Sequence, residues 1–304
     1  MNESLLFTTS SGSHLSPTVL DNVPNIRPGL YRLGSFIDGE VMFYLDEPVK
    51  GLPCFVLGHT GPPADNLLQM MTIINTLKIN GAKPIIAVIP YLGYSRSDRN
   101  KPLQPINSRL FSAFLKNAGI SKLICLDLHS LENEKYLTFP HLHLSALPLL
   151  ADQIKNLHIP SLAVVTPDKG GLRRAQQFAK YLDIANITKI TKYRPSDTTA
   201  ETLKIEGGVN NHNVVLVDDM IQTGNTLLAA AKILKQKGAR DIYACATHLL
   251  PQINNIKPLT STSLFKRIFV TNSLTNHKDL PTKISEIDIS PLLAATIAKE
   301  LQQF

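Results

Sequence analysis

Two acids stand side by side at Asp218 and Asp219, directly after the apolar run 214–217 and shortly before the turn Gln222-Thr223-Gly224-Asn225-Thr226. Residues 214–226 together read VVLVDDMIQTGNT, and an alanine-rich helix follows from about Leu227. An apolar run of this kind marks a buried parallel strand, with the acids at its carboxyl end. Open α/β sheets bind ligands at that end. The turn offers backbone N–H groups, two threonine hydroxyls and a helix N-terminus, which together suit a phosphate. Carboxylates above such a cradle accept hydrogen bonds from sugar hydroxyls, so the chemistry fits a sugar phosphate. The plainer alternative is a helix N-terminus with acidic caps.

Other chemistry-bearing residues follow strand-like runs in the same way. Arg96, Ser97, Asp98 and Arg99 come after AKPIIAVIP at 82–90. Such residues are hard to place in a core. KLICLDL at 122–128 carries Asp127 near its end and is followed by His129, where a histidine beside an acid is either structural or a metal or phosphate contact. Asp168 opens the turn PDKGG at 167–171, and Lys192 and Arg194 follow a strand-like run at 187–192. Taken alone, those two cations read as a solvated basic patch.

The elements that must position these residues alternate. Residues 1–35 read as irregular, with a turn at 11–14. Asp38-Gly39 signals a hairpin leading into VMFYL. Strands are expected at 53–58, 82–90 and 122–128, and helices at 65–80 and 106–118. Leu67, Leu68, Met71, Ile74 and Leu77 form the apolar stripe of the first helix. Residues 140–148 lack periodicity and read as a crossing between domains. A second set follows: a helix at 147–157, strands at 161–166, 187–192, 202–206, 214–217, 242–246 and 267–272, and a closing helix at 291–301 with proline at its start. The fold class is α/β, in two similar domains, each a mostly parallel sheet flanked by helices. The boundaries are 1–145, joined by the closing helix at 290–304, and 146–289.

Composition narrows the function classes. With 304 residues and 43% hydrophobic content, the chain is globular and long enough for two domains. No apolar run is long enough for a transmembrane helix, and residues 1–14 carry no basic leader before an apolar core. The three cysteines, Cys54, Cys125 and Cys245, are far apart in apolar runs, which suits buried free thiols in a cytoplasmic protein. The net charge of +7 comes from dispersed Lys and Arg, so phosphorylated small molecules are favoured over nucleic acid.

The stretch at 214–226 resembles the ribose-5-phosphate loop of the type I phosphoribosyltransferases, a group that includes ribose-phosphate diphosphokinase (PRPP synthetase). The rest of the chain resembles the latter. FIDGE at 36–40, PYLGYSRSDR at 90–99, LDLHS at 126–130, TPDKGG at 166–171, KYRP at 192–195, VDDMIQTGNT at 217–226, TNSL at 271–274 and SPLLAATI at 290–297 occur in the family's order. The resemblance implies a phosphoribosyltransferase-like fold and a reaction in which MgATP gives its diphosphoryl group to the C1 hydroxyl of ribose 5-phosphate, yielding PRPP and AMP. Asp218 and Asp219, with Gln222, Thr223, Gly224, Asn225 and Thr226, would hold ribose 5-phosphate. Arg96, Ser97, Asp98 and His129 would line the ATP site, with Phe36, Asp38 and Glu40 meeting the adenine from a neighbouring subunit of a dimer-based homo-oligomer or hexamer. His129 and Asp168 would lie beside Mg2+. Lys192 and Arg194 would be catalytic cations on a mobile loop.

The chain also departs from the family pattern. Gln222 stands where another acid is common, Ser97 where a glutamine follows the arginine, and Lys169 where bacterial forms have histidine. Residues 100–104, NKPLQ, are less basic than their bacterial counterparts, which implies weak regulation by phosphate and ADP. A non-catalytic regulatory paralogue would lose the loop cations or the metal-side residues, and both sets are kept here. A phosphoribosyltransferase that consumes PRPP would not need Phe36 to Glu40 or Arg96.

Overall fold

The computed structural model describes residues 3–168, 170–185, 187–193, 202–250, 256–274 and 280–304, and it omits the side chains of 192, 193, 202 and 203. The chain divides into two compact units. One runs to Leu144 and includes Asp288–Phe304; the other contains Ser145–Asn272.

The first unit contains β1 (Ser4–Thr8), α1 (Ser16–Asn22), β2 (Ile26–Pro28), β3 (Tyr31–Ser35), β4 (Val41–Leu45), β5 (Cys54–Leu57), α2 (Asp65–Ile79), β6 (Ile85–Ile89), α3 (Asn107–Ala118), β7 (Lys122–Leu126) and β8 (His141–Leu144). Six of these strands form a sheet in the order β2-β1-β5-β6-β7-β8, every neighbouring pair being parallel. A parallel sheet is covered on both faces, which is why its strands are apolar throughout rather than alternating. Leu5, Cys54, Val56, Ala87 and Cys125 pack with Met70, Ile73, Ile74 and Leu77 of α2 on one face. Leu6, Phe55, Ile86 and Ile124, on the other face, are just as buried. β3 and β4 form a separate antiparallel hairpin, with Gly39 at φ +92° in its tip.

Three expectations are corrected in this unit. Residues 1–35 are not irregular: SLLFT is an interior strand of the sheet. Its apolar run is only the three residues Leu5-Leu6-Phe7, too short a pattern to register. Residues 140–148 do hold the crossing between the two units, which falls between Leu144 and Ser145, but they are not without regular structure: His141–Leu144 is the edge strand β8, only four residues long and placed between two prolines. The stripe of α2 is rotated: Leu68 is 51% exposed, while Asn66, Gln69, Met70 and Ile73 turn inward. Gln69 is drawn in to accept the amide of Ser10.

The second unit contains α4 (Leu147–Lys155), β9 (Leu162–Thr166), α5 (Leu172–Tyr181), β10 (Ile187–Tyr193), β11 (Thr202–Glu206), β12 (Asn213–Ile221), α6 (Asn225–Gln236), β13 (Ile242–Leu249), α7 (Lys257–Ser261), β14 (Phe265–Thr271) and β15 (Ile284–Ile287). Its sheet has the order β11-β10-β9-β12-β13-β14-β15, and only the edge pair β10–β11 is antiparallel. The inner face of α6, Leu227, Ala230, Ala231 and Leu234, packs on Val214, Leu216, Ala244 and Ile268. Each half is therefore a mostly parallel sheet flanked by helices, as the sequence pattern requires.

The last helix, α8 (Ser290–Leu301), returns to the first unit and packs on α1. Glu300, 4% exposed, takes both carboxylate oxygens to within 2.7 Å of the Lys122 ammonium at the start of β7. Cys54, Cys125 and Cys245 are free and buried, and burial pushes the Cys54 and Cys125 thiols up to about 12. Among the described residues, no helix is long and apolar enough to cross a membrane.

Removing one partner of a buried ion pair strands the other charge. Lys122→Met is therefore expected to lower stability by about 3 kcal/mol, and Lys122→Met with Glu300→Leu to recover most of that loss. Urea titrations of the two variants check this; equal midpoints would refute it.

Candidate active site

In the second sheet, β9 connects onward to β10 on one side, while β12 lies on its other side. The chain thus reverses direction across the sheet between β9 and β12. Such a switch point leaves a crevice at the carboxyl ends of the two strands, the usual ligand position in this architecture. β12 itself and the turns after these two strands carry the predicted residues of this unit other than Lys192 and Arg194.

The turn after β9 is built by Asp168. Its Oδ1 accepts the Gly171 amide at 2.8 Å, and its carbonyl accepts the Thr166 hydroxyl at 2.9 Å. A Cβ at Gly171 would come within 2.4 Å of that hydroxyl, so the close turn requires glycine. Lys169 lies outside the described residues.

Asp218 and Asp219 sit inside β12, which continues to Ile221, and not at its end as the sequence reading placed them. β13 pairs with the strand through Ile221, whereas β9 pairs only as far as Leu216. The acids thus stay in the ladder on one side and pass beyond β9 on the other. Asp219 is buried and Asp218 half-buried. Asp218 Oδ1 accepts the amide of Asp219 at 2.8 Å. Burial first, and then the neighbouring charge of Asp219, push the Asp218 carboxyl well above the ordinary carboxylate range, against the opposing pull of Arg174.

Arg174, in the first turn of α5, was missed by the sequence reading. Its Nη1 lies 3.7 Å from Asp219 Oδ1 and 4.0 Å from Asp218 Oδ1, with its side chain 15% exposed. The available signal was weak: an arginine one helical turn after PDKGG, where an exposed basic residue is the ordinary expectation.

The turn after β12 exposes Gln222, Thr223, Asn225 and Thr226 around a buried Gly224. Gly224 stands at φ +74° as the N-cap of α6 and makes no side-chain cap, and Leu259 lies 3.0 Å from where its Cβ would be. Thr223 Oγ1 approaches the Asn225 amide at 3.4 Å. Helix α6 begins at Asn225, two residues earlier than expected, so Asn225 and Thr226 belong to its first turn. This end combines a helix dipole, N–H groups and hydroxyls, and can bind a phosphate.

The first unit has the same kind of switch point, between β1 and β5. There its own loops meet closely. Ser11 Oγ donates to His59 O at 2.9 Å and accepts His59 N–H at 3.0 Å. A Cβ on Gly58 would lie 1.8 Å from Thr9 Oγ1, and one on Gly12 would lie 2.4 Å from Leu57 O. The predicted residues of this unit sit instead after β6 and β7 and on the hairpin.

The Arg96 loop is tied on both sides of an exposed arginine. Ser108 Oγ of α3 donates to Ser95 O at 3.1 Å and Ser97 O at 3.2 Å, and Ser97 Oγ donates to Pro105 O. Asp98 turns inward, 5% exposed, where its Oδ2 accepts the Ser130 hydroxyl. His129 is half-buried in the turn after β7. Phe36, Asp38 and Glu40 are all exposed at the β3–β4 tip, with Asp38 Oδ1 accepting the Glu40 amide at 3.1 Å. Arg194 and the side chain of Lys192 lie outside the described residues; the backbone of Lys192 is in β10.

The second unit is a mostly parallel sheet with paired acids and a hydroxylated glycine turn at its switch point; its fold class is that of the phosphoribosyltransferases, and residues 146–273 match the phosphoribosyl transferase domain model. Residues 4–119 match the N-terminal domain of ribose phosphate pyrophosphokinase. The chain is 37% identical over 270 residues to the ribose-phosphate pyrophosphokinase of Chlorobaculum tepidum, covering 87% of this chain and 82% of that one. It is 32% identical to the Bacillus subtilis protein of the same name, over 98% of this chain and 94% of the other. A phosphoribosylpyrophosphate synthetase structure from Mycobacterium smegmatis superposes with a TM-score of 0.91 at 29% identity, covering 100% of both chains. The chain belongs to the ribose-phosphate pyrophosphokinase family, and it is an enzyme.

The Asp218 carboxyl gives a signed expectation. Its raised value means that the folded state holds a proton that the unfolded chain releases, so the carboxyl destabilises the fold as pH rises above about 4. Asp218→Asn should therefore melt higher than the parent, with a difference near zero at pH 4 that widens toward pH 8. Melting curves across pH test this; a lower melting temperature at pH 8 would contradict it.

Proposed function

We propose that the chain is an active ribose-phosphate pyrophosphokinase, in which the C1 hydroxyl of ribose 5-phosphate attacks the β-phosphorus of MgATP and AMP departs. The observation that carries this reading is half-buried Asp218 paired with buried Asp219 beside the exposed turn 222–226. The carboxylates accept from the ribose hydroxyls, while the amides and hydroxyls of Thr223, Gly224, Asn225 and Thr226 hold the 5-phosphate. Gln222 can still accept a hydroxyl but adds no charge. Arg174 keeps the acids partly neutralised when no ligand covers them.

ATP contacts are assigned to Arg96 and His129, with Ser97 and Asp98 fixing the loop around Arg96. The hairpin tip fits a contact with a neighbouring copy of the chain: Phe36 is 46% exposed and Ile37 is fully exposed, an arrangement that costs free energy in an isolated molecule. Phe36, Asp38 and Glu40 would then complete an adenine pocket in a homo-oligomer.

Magnesium fits the chemistry of the second unit, where two adjacent carboxylates offer hard oxygen donors and Arg174 stands 3.7 Å and 4.0 Å from them. Among the described residues, no three His, Cys, Asp or Glu side chains converge as a metal cage. Mg2+ needs none, because it takes oxygen ligands, keeps waters, and is held by one or two carboxylates plus substrate phosphates. Asp168 would hold it through carboxylate oxygen, with His129 beside the triphosphate. When bound, the ion neutralises charge on the phosphoryl oxygens. The chain's own residues orient the hydroxyl and the triphosphate, which is the main work in phosphoryl-type transfer.

Lys192 and Arg194 are assigned to the charge that builds on the β-phosphoryl oxygens. Lys192→Ala should then lower kcat by about 10²-fold, roughly 3 kcal/mol, with KM for both substrates changing far less. A large rise in KM for ATP at constant kcat would make the loop a binding element only. The reaction itself is tested by AMP release from ATP with and without ribose 5-phosphate. Release that depends on the sugar phosphate is the expected result, and none under either condition would favour a non-catalytic paralogue.

A further inference from the structure

We propose that His143 is a positioning residue for the turn that carries His129, acting through the backbone amide of Leu128, with Glu134 fixing its tautomer. The inference rests on the reading that His129 meets the triphosphate. His143 lies on edge strand β8, paired with Cys125 of β7. Its Nε2 accepts the Leu128 N–H at 3.0 Å, and its Nδ1 lies 2.8 Å from Glu134 Oε1. A backbone N–H can only donate and a carboxylate can only accept. One state of the ring satisfies both: neutral, with the proton on Nδ1 and the lone pair on Nε2. A side chain with this much geometry imposed on it is not a passive surface residue of an edge strand.

The turn it holds needs holding. Asp127 has φ +37°, in the left-handed region that a residue other than glycine adopts at a cost. Two tethers bracket the turn. His143 fixes residue 128, and on the far side of His129 the Ser130 hydroxyl donates to the buried Asp98 carboxylate. Ser130 Oγ also accepts the Glu132 amide at 3.1 Å, and Tyr136 donates to Asp98 O at 3.0 Å. His129 is thus the residue between two anchored neighbours, and its aim depends on both. The Asp98 tether also ties this turn to the Arg96 loop, whereas the His143 tether ties it to edge strand β8. Partners at this remove from a ligand commonly cost 10–100-fold in activity when lost.

The test is steady-state kinetics of the full-length enzyme carrying His143→Leu, His143→Gln or His129→Ala, with melting temperatures for each. In His143→Leu, kcat/KM for MgATP should fall about tenfold or more while KM for ribose 5-phosphate stays within about twofold. Glutamine places an amide oxygen where Nε2 stood, so His143→Gln should regain most of the loss. Damage to the fold alone would lower the active fraction and touch both substrates alike. Equal loss toward both substrates, no recovery with glutamine, or unchanged MgATP kinetics in His143→Leu beside an impaired His129→Ala would each overturn the inference. If His129→Ala itself keeps parental MgATP kinetics, the reading beneath it fails instead.

Discussion

Keeping two neighbouring carboxylates ionised in a partly buried strand is costly, and the second unit is arranged around that cost. Asp218 and Asp219 lie where β12 has run past β9 but is still paired to β13, so they are neither fully solvated nor fully enclosed. Desolvation and mutual repulsion raise the energy of the charged pair, and Arg174 answers only part of it. On the function proposed above, a ligand bearing hydroxyls, or a divalent cation, would supply the remainder, and the attraction for such groups would measure the strain carried without them.

The two units show how little of this follows from fold alone. Each has a mostly parallel sheet and each reverses its strand order once, so each has a switch point. In the first unit Ser11 is hydrogen-bonded to His59, and Gly12 and Gly58 allow the loops to meet more closely than a side chain at either position would permit. In the second, Gly224 serves the opposite purpose, letting the chain turn while Thr223, Asn225 and Thr226 stay exposed. The residue type is the same and its neighbours decide the outcome, consistent with function residing in loops grafted on a shared scaffold.

The sequence made the scaffold legible wherever apolar runs were long and bounded. The central strands and most helices lie close to their expected places, since buried parallel strands and amphipathic helices have strong periodic signatures. It failed where the signature was short or depended on a distant partner. SLLFT is an interior strand because β2 and β5 flank it, and HLHL pairs with β7 despite four residues and two nearby prolines. The α2 stripe turned because Gln69 serves the distant Ser10 amide, a contact no periodicity encodes. The same limit applies to the site. Asp218, Asp219 and the glycine turn declare themselves by adjacency, whereas Arg174 reaches them from another element, and one helical arginine looks like any other.

The three thiols have a practical consequence of a different kind. Cys54 and Cys125 lie in interior strands of one sheet and Cys245 in an interior strand of the other, all free and buried, with burial holding each thiol protonated. Such sulfurs are shielded from alkylating reagents while the strands stay in register, because the reactive form is the accessible thiolate. Each half of the molecule therefore contains a built-in chemical clock. The rate at which a given cysteine becomes labelled reports how often its own sheet opens, unit by unit, without an added probe.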